Sequence, residues 1–305
     1  MKELDGKVAV VTGAGSGLGR AMAHAFAAEG MVVVVADRRL DAAEQVAGEI
    51  RAEDGRAQAM EVDVTDLRST EALADRVDQE LGGAQLLVNN AGVMPTTPLL
   101  MTDELSWRWI VEVNLLGVVH GIQVFVPRML RSGRDGHVVN TASIAGMVAG
   151  AGNRANRVLL GDRGFPESPG MMHGYTATKY AVVGLTEALS AELAWTRVGV
   201  SLLCPHGHES TNISRNSAKY RPAAFGGPSD PEALNDTIRR TNWAAAQPER
   251  PTMVPKQPEE LARRVVRAIR AGHFYVFTHA TDRWAIEERS EQIRAGLDDA
   301  DGFAP

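Results

Sequence analysis

Cysteine is almost absent: Cys204 is the only one in 305 residues, so no intrachain disulfide can form. Stability must come from a core, and a chain of this length can bury a substantial one. Basic runs are missing as well, and the formal net charge is −6. An acidic chain without a Lys/Arg cluster is a poor partner for nucleic acid or an anionic membrane. No apolar run approaches the ~20 residues of a membrane span. The first residues, MKELDGKVAVVTG, pass from charge straight into a strand pattern, without the apolar segment and cleavage site of a secretory signal. A cytoplasmic protein with neither nucleic-acid nor membrane partners is expected. No linker or internal repeat divides the chain, so residues 1–305 are expected to form one domain.

What is present is a β-α rhythm. Lys7 to Thr12, KVAVVT, is a short apolar strand of the kind buried on both faces of a parallel sheet. The turn GAGSGLG follows, with Gly13, Gly15, Ser16, Gly17, Leu18 and Gly19, and then a helical pattern over 20–29. A strand, a glycine-rich turn and a helix together make a phosphate-binding unit. The glycines permit close backbone approach, and the helix N-terminus offers free N–H groups to a pyrophosphate. A second strand, 31–36, ends at Asp37, about twenty residues beyond Gly17, where a carboxylate can accept hydrogen bonds from an adenosine ribose. That carboxylate would repel a 2′-phosphate, whereas Arg38 and Arg39 would attract one. The balance favours NAD over NADP. Further on, 40–52 reads as a helix, 57–62 as a strand ending at Asp63 and Val64, 66–82 as a helix, and 85–88 as a strand running into Asn89-Asn90-Ala91-Gly92. A long helix is expected over 103–131 with Asn114 in its middle, and a strand over 136–141 that delivers Ala142 and Ser143 at its carboxyl end, where ligands bind in such sheets.

The stretch from His173 to Leu193 reads as one helix, with Ala181, Val182, Leu185, Ala188, Leu189 and Leu193 on an apolar face. Tyr175 and Lys179 lie one turn apart on a common face. An ammonium beside a phenol is expected to lower the tyrosine pKa from about 10, so that the phenol can exchange a proton with an alcohol or a carbonyl. Alone, such a pair is common on helices and proves little. Later elements are a strand at 199–203, a helix at 258–271, a strand at 273–278 and a terminal helix at 282–297 with a tail to 305.

In order along the chain, Thr12-Gly13-x-x-x-Gly17-x-Gly19, Asn89-Asn90-Ala91-Gly92, Ser143 and Tyr175-x-x-x-Lys179 resemble the classical short-chain dehydrogenases/reductases, over about residues 4–279. Asn114 falls where that family places a catalytic asparagine. The resemblance implies a doubly wound, Rossmann-like α/β fold with about seven parallel strands and helices on both faces. It also implies a nicotinamide cofactor, a small-molecule substrate, and a homo-oligomer, tetramer or dimer, built partly through the tyrosine helix. It makes Tyr175 the general acid or base and Lys179 its modulator and a ligand of the nicotinamide ribose. Ser143 would polarise the substrate oxygen, and Asn114 would hold a relay water. Asp63, Val64, Asn90 and Ala91 would line the adenosine side, and Thr211 (or Ser210) would meet the nicotinamide amide.

Two departures from the family pattern stand out. Ser143 and Tyr175 are separated by about thirty positions instead of about a dozen, which places an insertion near 152–172. After the sixth strand, Pro205-His206-Gly207-His208-Glu209-Ser210-Thr211 is one residue longer than the family's Pro-Gly-x-x-x-Thr. Cys204, His206, His208 and Glu209 include zinc-type ligands, but no second cluster accompanies them, and no metal is expected. The substrate loop, 206–258, carries Ile213, Tyr220, Phe225, Leu234 and Trp243. With Met94, Met147, Met171 and Met172 these residues suit a bulky, apolar or aromatic secondary alcohol or ketone, or else simply fill a core. Tyr220 to Gly226 loosely resembles dehydrogenases of benzylic alcohols in lignin-type aryl ethers. Two other readings stay open. One is a non-catalytic dinucleotide sensor, although all four catalytic positions are filled. The other is an NADP-dependent reductase of carrier-bound intermediates, with Arg154, Arg157 and Arg163 as its basic residues.

Overall fold

A computed structural model describes residues 1–95, 102–149, 172–206, 213–227, 256–280 and 283–301. Its framework is a seven-stranded parallel sheet in the order β3-β2-β1-β4-β5-β6-β7. The strands are β1 (Val8–Thr12), β2 (Val32–Asp37), β3 (Arg56–Glu61), β4 (Leu86–Asn89), β5 (Gly136–Thr141), β6 (Val198–Cys204) and β7 (Tyr275–Phe277). Between them run α1 (Gly17–Ala28), α2 (Leu40–Ala52), α3 (Leu67–Leu81), α4 (Glu104–Val111), α5 (Gly117–Ser132), α6 (His173–Glu192), α7 (Ile213–Lys219) and α8 (Pro258–Ala271), and α9 (Arg283–Asp301) follows β7. The chain winds outward from β1 to β3, then returns to place β4 on the other side of β1. The carboxyl ends of β1 and β4 therefore diverge at a switch point, where a crevice opens.

Alternation along the central strands decides which helix covers which face. Ala9 and Val11 of β1 point into a core shared with α1, α2 and α8. Val8 and Val10 point into the opposite core, closed by α3, α5 and α6. β1, β4 and β5 are buried along their whole length, and β1 and most of β4 are accordingly continuous apolar runs, while β5 buries His137, Asn140 and Thr141 beside its valines.

The helix expected over 103–131 is interrupted. α4 gives way to a π-helical turn, Glu112–Leu116, before α5 resumes. Single π turns inside α-helices shift the ladder by one residue and cluster at functional sites. The same segment corrects the reading that nothing approaches a membrane span. Glu104–Ser132 has a mean hydropathy of 1.6 over its best window and is long and apolar enough by composition, but 56% of that window is buried inside the protein. Its side chains Trp109, Ile110, Val118, Val124 and Phe125 are buried, so it serves as a core helix.

A buried polar ladder sets the position of α6. Asn89 Nδ2 donates to Asn140 Oδ1 at 2.9 Å, Asn140 Nδ2 donates to Thr186 Oγ1 at 3.1 Å, and Thr186 Oγ1 donates to Val182 O at 2.6 Å. The chain of amides crosses from β4 through β5 to the helix, and all three side chains lie in the interior. Buried polar groups in such a ladder are satisfied in only one register, which fixes the helix along its axis.

Candidate active site

At the switch point, β1 ends in the glycine turn. A Cβ on Gly13 would lie 2.8 Å from Ala91 Cα, and one on Gly19 would lie 2.4 Å from Gly13 O and 2.6 Å from Asn90 Nδ2. Gly13 also has a φ of +65°, which favours glycine. α1 starts at Gly17 with Ser16 as its N-cap, and Ser16 makes no side-chain capping hydrogen bond. The N–H groups of the first turn therefore face the crevice without a side-chain acceptor, as a phosphate site requires. Leu18 is buried beneath the turn. Gly19→Ala must displace backbone, so a tenfold or greater loss of dinucleotide affinity is expected by the general sensitivity of packed sites to added methyl groups. Titration calorimetry with the wild type alongside checks this.

The acid at the end of β2 is held firmly. Asp37 Oδ2 accepts from Gly15 N at 2.9 Å, and Oδ1 accepts from Arg39 N at 3.0 Å. A carboxylate offers about four acceptor positions, so two remain for ribose hydroxyls. A Cβ on Gly15 would come within 2.9 Å of the same carboxylate oxygen, which ties glycine turn and acid into one unit. Asp63 folds its turn by accepting from Thr65 N at 3.0 Å and Thr65 Oγ1 at 2.7 Å. Val64 is buried, and its carbonyl accepts from His120 Nδ1 at 2.8 Å. Asn90 and Ala91 are clasped by a residue that the sequence reading placed only in a motif. Thr12 Oγ1 accepts from Asn90 N at 3.0 Å and Ala91 N at 3.1 Å, and Asn90 Nδ2 donates to Thr12 O at 3.0 Å. The cradle, the ribose acid and the flanking turn thus fit a dinucleotide with its pyrophosphate at the start of α1.

Ser143, Tyr175 and Lys179 meet at the carboxyl ends of β5 and β6. Ser143 follows β5, caps a short 3₁₀ turn (Ile144–Gly146) by accepting from Ala145 N at 3.2 Å, and reaches Pro205 O at 3.4 Å. Its hydroxyl lies close enough to the Tyr175 phenol to lower the phenol's pKa. Lys179 is buried, and its Nζ donates to Thr141 O at 2.7 Å and lies 5.5 Å from the centre of the Tyr175 ring. A Cβ on Gly146 would sit 2.5 Å from Lys179 O, so the 3₁₀ turn is pressed against the helix at the lysine. Asn114 is fully buried in the π turn. Its Oδ1 accepts from Val93 N at 2.8 Å, and its Nδ2 donates to Val93 O at 2.9 Å and to Thr178 Oγ1 at 3.3 Å. Gly92 lies between it and Lys179, since a Cβ there would be 3.3 Å from Asn114 Oδ1 and 3.8 Å from Lys179 Nζ.

The electrostatics differ from the sequence expectation. Burial drives the Tyr175 pKa above its ordinary 10, and neighbouring Cys204 adds to the rise, against a lowering from the Ser143 hydrogen bond. The residue as a whole is half-buried. Burial also lowers Lys179 to about 8, with Cys204 opposing the fall. The expected lowering of Tyr175 by Lys179 is not seen, for a physical reason. The ammonium is itself desolvated and points at the Thr141 carbonyl, so loss of water around the phenol outweighs it.

Thr211, Ser210, His208, Glu209, Met171, Leu234, Trp243 and the three arginines of the insertion lie outside the described residues, as does the insertion itself apart from Met172. Among the described residues no group of three or more His, Cys, Asp or Glu side chains is placed to hold a metal ion. A concavity of about 660 Å³ beside Met1, Lys7, Asp135, Arg197 and Phe274 opens at the amino ends of β5 and β6 and holds none of the site residues.

A phosphate cradle and an acid–base pair on one sheet edge, on either side of the switch point, can move hydride between a dinucleotide and a substrate C–OH carbon. Known proteins narrow the class. A family model described as short chain dehydrogenase matches residues 7–155. The chain is 30% identical over 296 residues to the C alpha-dehydrogenase of Sphingobium sp. (strain NBRC 103272 / SYK-6), an alignment that takes in 96% of this chain and 87% of that one. It is 37% identical over 201 residues to the meso-2,3-butanediol dehydrogenase of Serratia marcescens, over 66% of this chain and 71% of that one. A crystal structure of a short chain dehydrogenase/reductase from Burkholderia phymatum in complex with NAD superposes with a TM-score of 0.81 at 33% identity, over 97% of both chains. The protein belongs to the short-chain dehydrogenases/reductases, oxidoreductases that use NAD(H) or NADP(H) on CH–OH groups and their ketones in small molecules.

Proposed function

We propose that this chain is an NAD-dependent oxidoreductase that interconverts a secondary alcohol and a ketone on a bulky, apolar or aromatic substrate, with Tyr175, Lys179, Ser143 and Asn114 as its acid–base machinery. The observation that carries the reading is the Ser143 hydroxyl beside the Tyr175 phenol, with Lys179 buried and its Nζ 5.5 Å from the centre of the Tyr175 ring. In oxidation the Tyr175 oxygen takes the alcohol proton, and in reduction it gives a proton to the carbonyl oxygen. Ser143 holds the same substrate oxygen in line with the phenol. Lys179 passes the proton onward along the side of the site where Asn114 lies. The bound nicotinamide supplies the hydride acceptor or donor. The preference for NAD rests on Asp37, whose fixed carboxylate would repel a 2′-phosphate. The size of the substrate rests on the apolar residues Met94 and Met147, which follow the site motifs in sequence, and Phe225 of the substrate loop, each half-buried. Residues 1–305 act as one domain, in the cytoplasm, as a homo-oligomer, in keeping with a family whose members commonly oligomerise.

The test is turnover of purified protein on secondary alcohols from small aliphatic to aryl and steroid-sized, with NAD and NADP in parallel. Turnover of the bulky members with NAD supports the reading. NAD binding without reduction on any member would favour the sensor alternative instead.

A further inference from the structure

The two arginines after Asp37 leave the cofactor preference divided, since guanidinium groups beside a ribose acid are what a 2′-phosphate needs. In the folded protein both are engaged by a residue far along the chain. Arg38 Nη2 donates to the Tyr220 carbonyl at 2.6 Å. The Arg39 guanidinium lies 4.3 Å from the centre of the Tyr220 ring, and Lys219 Nζ lies 4.9 Å from the same ring. Tyr220 directly follows α7, in a strap covering residues 213–227 with three further anchors. Met94 N donates to Ser217 Oγ at 2.8 Å, Arg221 approaches Asp103 Oδ1 at 3.6 Å, and the Arg221 guanidinium stacks 5.6 Å from the Trp109 ring centre. The strap therefore spans from the turn after β4 to the end of β2.

We propose that Tyr220 is a cofactor-specificity residue: by holding Arg38 through its carbonyl and Arg39 under its ring, it removes both cations from a dinucleotide's 2′ position and leaves Asp37 to select NAD. This rests on the NAD reading given above and adds a second determinant to it. The lock is electrostatic and local. Loss of the ring releases Arg39 outright, and it loosens the chain end that brings the Tyr220 carbonyl to Arg38. The other anchors keep the rest of the strap in place.

The experiment is direct binding of NAD and NADP to the full chain by calorimetry, for wild type, Tyr220→Ala, Tyr220→Phe and Arg38→Ala. In Tyr220→Ala the ratio of NADP to NAD dissociation constants is expected to fall by roughly five- to tenfold, the range of one charge-assisted hydrogen bond at a partly exposed site. The gain is expected to shrink as salt rises, which a merely loosened fold would not produce. Tyr220→Phe keeps both the ring and the carbonyl and is expected to match the wild type. Arg38→Ala in the otherwise native chain is expected to leave NADP affinity unreduced, because that side chain is already engaged, and this arm stands even where Tyr220→Ala does not fold. An unchanged ratio in Tyr220→Ala, or NADP binding weakened by Arg38→Ala alone, overturns the lock. A wild type that binds NADP as tightly as NAD overturns the NAD reading itself, whatever the variants do.

Discussion

In Tyr175→Phe, kcat is expected to fall by about 10²- to 10⁴-fold, the span that a positioned proton donor or acceptor contributes, while NAD affinity stays within about twofold. The substitution removes one oxygen and keeps the ring in place beside Lys179. Ser143 keeps the Ala145 amide and the Pro205 carbonyl, so the structural cost is at most that of one net hydrogen bond, about 1 kcal/mol. The direction of the Tyr175 shift adds a second expectation. With the phenol pushed above 10 by burial, the neutral acid is present throughout the neutral range. Ketone reduction should therefore be nearly flat between pH 6 and about 9, while alcohol oxidation, which needs the base form, should rise with pH over the same interval. Steady-state rates in both directions across pH check this. A Phe variant that retains more than a tenth of the wild-type rate, with hydride transfer still observed, would remove Tyr175 from the chemistry.

The β-α order, the glycine turn and the tyrosine helix were legible in the sequence because each depends on local features. Short apolar strands such as 8–12 and 136–141, the glycines at 13, 17 and 19, and the fourfold spacing of Tyr175 and Lys179 all act within one element or one turn. Boundaries moved by only a residue or two for most elements; the larger shifts were at α1, which begins at Gly17 because the glycine turn itself supplies its first turn, and at α9, which runs on past 297 to Asp301. The illegible parts depend on contacts between distant segments. The π turn at Asn114 has no sequence signature. What holds the asparagine there is the Val93 backbone, reached through a loop that the helical pattern does not describe. The partnership of Arg38 and Arg39 with Tyr220 joins residues about 180 positions apart, and no periodicity announces it. The sign of the Tyr175 shift was misjudged for the same reason. Spacing tells which groups are neighbours, whereas desolvation depends on everything else packed around them.

Lys179→Met is expected to abolish turnover and, at the same time, to change how stability depends on pH. The lysine is buried, and burial lowers its pKa from 10.5 to about 8. Between those values the unfolded chain binds a proton that the folded chain does not, so wild-type stability rises with pH across about 8 to 10.5 as far as this group is concerned. Below about 8 the charged side chain costs the folded state about 3 kcal/mol, from the size of that shift at 1.36 kcal/mol per unit. Methionine has a similar length and no charge, and it removes this cost. It also leaves the Thr141 carbonyl without the Nζ donor, which gives back about 1–3 kcal/mol. At pH 7 the two effects largely offset, and the variant should be between equal in stability and about 2 kcal/mol more stable. The informative quantity is the difference between the two proteins as a function of pH. The variant's advantage should shrink steadily from pH 7 to 10, as the wild-type lysine ceases to be charged in either state. Urea unfolding of both proteins at pH 7, 8.5 and 10, without dinucleotide, measures it. A constant difference across that range would mean that Lys179 titrates normally in the folded protein. In that event the nearby ammonium, and not burial, would govern the Tyr175 phenol.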